Sequence, residues 1–189
     1  MKLEFNSTRL SFSPLSIDDL DMAIDLWTDP EIAKYVGGHR SEEHIREEHP
    51  LAMRRCAGGC IGIWTLTTKA ENQKIGTAIL LPMPVEEDDT NWDLVIGDDV
   101  PDGDIEIGYI LKKEAWGKGY ATEACKRLLR FAFEVSPLTE LVASTDARNK
   151  ASQNVLLKSG MLSLGLIRSY GENCPGFKIT KEEWHALNA

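Results

Sequence analysis

The sequence predicts a mixed α/β fold in one domain, residues 1–189, and three observations carry that prediction. Apolar residues make up 42% of the 189 positions and charged residues 27%, enough for a buried core under a solvated surface. Strand-length stretches with alternating apolar residues are interleaved with stretches of helical period. Near the middle, a strand, a glycine-rich turn, a long amphipathic helix and a second strand follow one another, the pattern of a β-α-β unit.

The elements follow in order. Thr8 to Ser13 reads as a strand, with Leu10 and Phe12 alternating with polar residues, and Pro14 ends it. Ser16 or Asp18 caps a helix to about Trp27, with Leu20, Ala23, Ile24 and Trp27 on one stripe. Asp29-Pro30 breaks it, and Glu31 to Val36 reads as a short helical turn. Ser41 opens a charged helix to about Cys56, kinked or broken at Pro50. Cys60 to Thr67 and Lys74 to Leu81 form a hairpin around a polar turn. Residues 85–103 are an acidic insertion, a long loop whose centre, Trp92 to Ile96, reads as an edge strand.

The β-α-β unit comes next. Asp104 to Leu111 is a core strand, and Ala121 to Glu134 is a helix with Ala121, Ala124, Cys125, Leu128, Leu129 and Ala132 along its apolar stripe. Leu138 to Thr145 is its second strand. Asn149 to Ser159 is a helix closed by Gly160, and Met161 to Ser169 with Phe177 to Thr180 is a final strand pair around Gly171 to Gly176.

Composition narrows the function. With 21 Lys and Arg against 30 Asp and Glu, the net charge is −9, which argues against a nucleic-acid partner. No apolar run approaches the roughly 20 residues of a membrane span, and MKLEFNSTRLSF has no signal core. The expectation is a cytoplasmic protein with no membrane partner. The four cysteines are too scattered for a disulfide scaffold, and Cys56 and Cys60 have no matching pair for zinc. His39, His44 and His49 are spaced for solvent rather than for a metal.

The chemistry sits in Trp116-Gly117-Lys118-Gly119-Tyr120-Ala121-Thr122, between the core strand and its helix. Small residues at a helix start leave backbone N–H groups open to an anion such as pyrophosphate. A P-loop needs a hydroxyl after Gly117-Lys118, where Gly119 stands. A dinucleotide turn of the form G-x-G-x-x-G has Thr122 in place of its third glycine.

The segment resembles the coenzyme A loop of the GNAT acetyltransferases, Q/R-x-x-G-x-G/A, with Trp116, Gly119 and Ala121 at the first, fourth and sixth positions. The form W-G-x-G-Y-A-T-E-A is similar to the branch of ribosomal-protein N-terminal alanine acetyltransferases. Thr8-Arg9-Leu10, Asp29-Pro30-Glu31-Ile32 and TDARNKASQNVLLKSGM (145–161) resemble that branch as well.

The resemblance implies a mostly antiparallel GNAT-like sheet flanked by helices. It implies acetyl transfer from acetyl-CoA, with no metal, to a primary amine, either a small molecule or a protein N-terminus. The pyrophosphate would lie on Gly117 to Thr122, and the pantetheine would pair with Ile110 and Leu111. Asn149 and Ser152 would meet the pantetheine arm; Asn149 is equally a helix cap. Backbone N–H groups near Tyr109 to Leu111 would hold the oxyanion if a bulge splays that strand.

Glu106 is the expected base, with Asp104 on its face by period two; the bland alternative is two solvated strand carboxylates. Ser152, Tyr109 or water would supply the acid, because Leu156 stands where many relatives carry a tyrosine. The acidic insertion is either a solvated loop or one that would draw in a cationic acceptor, and His39 or Arg40 would border the acceptor pocket. A CoA-binding sensor without turnover is the alternative, and the chain is expected as a monomer or homodimer.

Overall fold

A computed structural model describes residues 2–188. Its strands are β1 (Phe5–Asn6), β2 (Leu10–Pro14), β3 (Gly62–Thr68), β4 (Lys74–Pro82), β5 (Ile105–Leu111), β6 (Glu140–Ser144), β7 (Leu162–Ser169) and β8 (Glu172–Thr180). They form one sheet in the order β1-β2-β3-β4-β5-β6-β8-β7. Every neighbouring pair is antiparallel except β5 and β6. That exception arises because a helix joins the two strands and a crossover returns the chain in the same direction. The helices are α1 (Leu20–Thr28), α2 (Glu42–Ala52), α3 (Tyr120–Val135), α4 (Lys150–Lys158) and α5 (Lys181–Asn188).

The two faces of β5 carry different neighbours. Ile105, Ile107 and Leu111 join the main core with Leu128, Leu129 and Phe131 of α3. Phe131 stacks on Phe5 at 4.6 Å and meets Trp64 edge-on at 5.2 Å, which docks α3 on the sheet. On the other face, Ile110 packs with Leu15, Met22 and Leu26 of the α1 layer. Strand alternation therefore puts Glu106 and Gly108 on the α1 face and Tyr109 on the α3 face.

The sheet splits in its middle. β5 pairs with β4 along its whole length, from Ile105↔Pro82 to Leu111↔Gly76. On its other side β5 meets β6 at Glu106↔Val142 alone. The second half of β5 thus has an open edge, without a strand partner among the described residues, and the glycine turn follows its end. The β4–β5 register runs without a shift, so the expected bulge is not what splays the strand. The divergence of β6 does that instead.

Several expectations are corrected. The apolar stripe of α1 is Met22, Ala23 and Leu26, with Leu20, Ile24 and Trp27 only half-buried. Trp92–Leu94 is a 3₁₀ turn rather than an edge strand, because Arg54 Nη1 takes the Trp92 carbonyl at 3.0 Å and Val95 is fully buried. α2 ends at Ala52 rather than Cys56, two residues after Pro50. β8 begins at Glu172, so the stretch expected as a turn is strand, paired to β7 from Ser169↔Glu172. His49 is buried and bonded to the Ser16 carbonyl at 2.8 Å rather than solvated. Among the described residues no helix is long and apolar enough to cross a membrane.

Candidate functional site

The glycine turn has the geometry of an anion cradle. A 3₁₀ turn at Lys113–Ala115 follows β5, and Gly117 and Gly119 then both adopt left-handed backbone, φ 71° and 79°. Gly119 is the N-cap of α3 and supplies no side chain to its first turn. The helix ladder starts with Glu123 N–H donating to the Gly119 carbonyl. The N–H groups of Tyr120, Ala121 and Thr122 precede that bond and are the orphan donors of a helix start. A Cβ added at Gly117 would meet nothing within 4 Å, so the space in front of the turn is open. Open space, three aimed donors and the positive end of a 16-residue helix fit a pyrophosphate.

The other expected donor-binding residues gather along the split. In a strand, the N–H and C=O of one residue point to the same side and alternate along the chain. The Ile110 carbonyl faces Gly76 of β4, and Lys112 N–H bonds to the Ile75 carbonyl. The backbone groups of Tyr109 and Leu111 therefore face the open edge, and Ile110 turns its own away from it. Of the two residues expected to meet the pantetheine, Leu111 turns its backbone groups to that edge and Ile110 does not, whereas Tyr109 does. The Leu111 carbonyl already accepts the Trp116 indole N–H at 2.8 Å, which ties the turn back to the strand end. Trp116 keeps 44% of its surface exposed beside the turn.

Across the split stands α4. Asn149 is its N-cap, and its side chain accepts from Ser152 N–H at 3.1 Å. The cap role of Asn149 is thus present, with its amide N–H₂ left over for a ligand. The Tyr109 hydroxyl lies 3.0 Å from Ser152 Oγ and 3.2 Å from the Ser152 carbonyl. Burial drives the Tyr109 hydroxyl far above its ordinary pKa, so it remains a proton carrier at neutral pH. Leu156, at the position of the absent tyrosine, is 2% exposed and belongs to the core.

Glu106 is on the opposite face, and its surroundings differ from the expectation. It is 5% exposed and accepts a hydrogen bond from the Tyr170 hydroxyl. Burial pushes its pKa up to about 7, the Tyr170 bond lowers it, and the negative charge of Asp89 raises it. Asp104 lies ahead of the strand and is exposed, so Asp89 takes the place expected for it. A carboxyl poised near 7 beside an open strand edge can take a proton at physiological pH.

Tyr170 and Asp89 reach the site through the hairpin and the insertion. Tyr170 and Gly171 form a two-residue turn with both φ positive, 51° and 68°, the type I′ geometry that suits a hairpin. Tyr170 N–H donates to the Pro84 carbonyl and Gly171 N–H to the Val85 carbonyl. The tip of β7–β8 is thereby docked on the first residues of the insertion. Arg168 holds Glu86 at 2.6 Å. Arg40, stacked 4.5 Å over the Trp27 ring, reaches Asp89 and Glu48 of α2 at 2.5 Å each. Glu86, Glu87, Asp102 and Asp104 line a hollow of about 310 Å³ under the insertion. Tyr170 left one trace in the sequence, a Tyr-Gly pair between two strand-length stretches. Among the described residues no group of His, Cys, Asp and Glu is placed to hold a metal ion.

Comparison with known proteins adds four findings. The model of the acetyltransferase (GNAT) domain matches residues 9–162. The FsC-acetyl coenzyme A-N(2)-transacetylase of Aspergillus fumigatus is 28% identical over 189 residues, covering 95% of this chain and 77% of that protein. Among solved structures, an acetyltransferase from Agrobacterium tumefaciens has a TM-score of 0.74 at 21% identity, covering 95% of each chain. The spermidine N-acetyltransferase of Vibrio cholerae, solved with CoA and spermine, has a TM-score of 0.71 at 15% identity, covering 94% of this chain and 99% of that one. The two structural likenesses show the fold.

Proposed function

This chain belongs to the GNAT acetyltransferase family and is an N-acetyltransferase with acetyl-CoA as its donor, and we propose that Glu106 is its base and a primary amine its acceptor. The observation that carries this is the placement of Glu106. It is a buried carboxyl on the strand whose free edge runs to the glycine turn, hydrogen-bonded by Tyr170 and titrating at about 7.

The donor brings a thioester carbonyl and a thiolate leaving group. The chain's own groups do the rest. The N–H groups of Gly119 to Thr122 take the pyrophosphate, and the open edge at Tyr109 and Leu111 takes the amide-bearing arm as an added strand. An amine arrives mostly protonated at neutral pH. Glu106 in its charged form attracts that cation and accepts its proton, directly or through a water, so that a neutral nitrogen attacks. The N–H groups on the free edge of β5 are the donors available to a developing oxyanion. On the α3 face, the Tyr109 hydroxyl, backed by Ser152, is the protonated group available to the departing thiolate. Metal ions have no part in this scheme.

The acceptor divides into two classes. The relative from Aspergillus fumigatus is named for transfer to N(2) of FsC, which favours a small-molecule amine. The stretch Trp116-Gly117-Lys118-Gly119-Tyr120-Ala121-Thr122-Glu123-Ala124, with Thr8-Arg9-Leu10, favours a protein N-terminus of the ribosomal kind. A negative acceptor side suits both, although Glu86 and Asp89 are already paired with Arg168 and Arg40. Thiol release from acetyl-CoA, measured across small polyamines, other small primary amines and peptides with free Ala or Ser N-termini, tests the proposal. Turnover with at least one class is expected. Acetyl-CoA binding with no release for any amine would refute it.

A further inference from the structure

Arg9 stands one residue before β2, far from the glycine turn in sequence, yet its side chain is tied into that turn. Its Nη1 donates to the Lys118 carbonyl at 2.9 Å. Its Nε donates to Glu123 Oε2 at 2.6 Å, and its backbone N–H donates to Glu123 Oε1 at 2.7 Å. The guanidinium also lies 4.5 Å over the Tyr120 ring. Ser7 Oγ completes the group by donating to Glu123 Oε1 at 2.7 Å.

Two consequences follow from elementary geometry and charge. In a trans peptide the C=O and the next N–H point in opposite directions. Holding the Lys118 carbonyl against Arg9 therefore turns the Gly119 N–H away from β2, toward the open side of the turn. Glu123, meanwhile, is the acidic residue in the first turn of α3. An unpaired carboxylate there would oppose an incoming anion at the end of the helix that should attract one. Burial alone would push the Glu123 carboxyl up. The Ser7 hydroxyl and the Arg9 amide and guanidinium outweigh burial and hold it below its ordinary value.

We propose that Arg9 is a positioning residue for the acetyl donor: it orients the Lys118–Gly119 peptide toward the pyrophosphate and cancels the charge of Glu123 beside it. This rests on the glycine turn being the donor's cradle. Glu123 belongs to the same unit but with opposite sign, because its carboxylate is what Arg9 must neutralise.

The test is calorimetric titration of the full chain with acetyl-CoA. Arg9→Met should weaken binding by about tenfold or more, with the acceptor KM within about twofold of the parent. Glu123→Gln should bind as tightly as the parent or more tightly, although both variants lose the same ion pair and should melt at similarly lowered temperatures. An ion pair that only supports the fold would weaken binding alike in both. Arg9→Lys keeps the charge without the fork, should fall between parent and Arg9→Met, and serves in its place if Arg9→Met does not fold. Parental affinity in every folded Arg9 variant, or a Glu123→Gln variant weakened as much as Arg9→Met, would overturn the proposal. Gly119→Val separates the two claims. If it too binds at parental affinity, the cradle itself is misplaced; if it loses binding while the Arg9 variants keep it, only the role of Arg9 fails.

Discussion

Glu106→Gln should stabilise the protein, and by an amount that depends on pH. Glu106 is 5% exposed, with the Tyr170 hydroxyl as its hydrogen-bond donor and the charge of Asp89 acting against ionisation. Its pKa is raised from 4.5 to about 7. The difference, about 2.5 units at about 1.36 kcal/mol each, is about 3 kcal/mol. The sign follows from proton binding. Between 4.5 and about 7 the folded protein holds a proton that the unfolded chain has released, so stability falls as pH rises through that window. Above it the full cost of a buried charge is present. Glutamine keeps the shape and can accept the Tyr170 bond but carries no charge. Urea unfolding of parent and variant from pH 4 to pH 8 reads the difference. The advantage of the variant should be small at pH 4 and grow by about 3 kcal/mol by pH 8, worth several degrees in melting temperature for a chain of this length. A difference that stays flat with pH would refute the argument, since Glu106 would then titrate like a solvated carboxylate.

Two further outcomes follow from the same site. Tyr170→Phe removes the bond that lowers the Glu106 pKa, so the acidic limb of the kcat/KM profile should move to higher pH; Asp89→Asn removes the charge that raises it, so the limb should move to lower pH, and shifts of the same sign would contradict the scheme. Gly119→Val places a β-branched residue at φ 79°, where the strain of about 1–2 kcal/mol turns the cradle amides aside; acetyl-CoA affinity should fall about tenfold in calorimetry, although the added Cβ would meet only Arg9, at 3.5 Å.

The parts of this molecule that were legible in the sequence are those set by local period and punctuation. The stripe of α3 is buried as its spacing predicts, through Ala124, Cys125, Leu128, Leu129 and Ala132. Ser41 and Asn149 both cap helices with their side chains, and the turn at Gly117 and Gly119 needs the positive φ that glycine permits. Glu106 was legible as a carboxylate on the strand that leads into the glycine turn, where the resemblance implies a base. Its partners were not, because Tyr170 is 64 residues away and Asp89 lies in a loop with no period at all. Strand and loop were confused where pairing overrides composition. Asn173, Pro175 and Gly176 look like a turn, yet β7 and β6 supply the hydrogen-bonded neighbours on both sides of β8. Trp92 to Ile96 looks like a strand, yet among the described residues no strand pairs with it and Arg54 captures the Trp92 carbonyl. The side of β5 that opens to a ligand was beyond local inference too, because it depends on where β6 parts from it.

The central claim is that a buried carboxyl titrating near neutrality removes the proton of the acceptor amine. It is tested most directly by the pH dependence of kcat for parent and Glu106→Gln, with the best acceptor found and saturating acetyl-CoA. The parent should gain activity through about pH 7, where Glu106 ionises. The variant should be about tenfold slower or more at pH 7 and recover in part at higher pH, as more of the amine becomes neutral unaided, with acetyl-CoA affinity within about twofold of the parent. A variant that keeps the parental kcat across the whole range would contradict the account and leave orientation of the two substrates as the source of the rate.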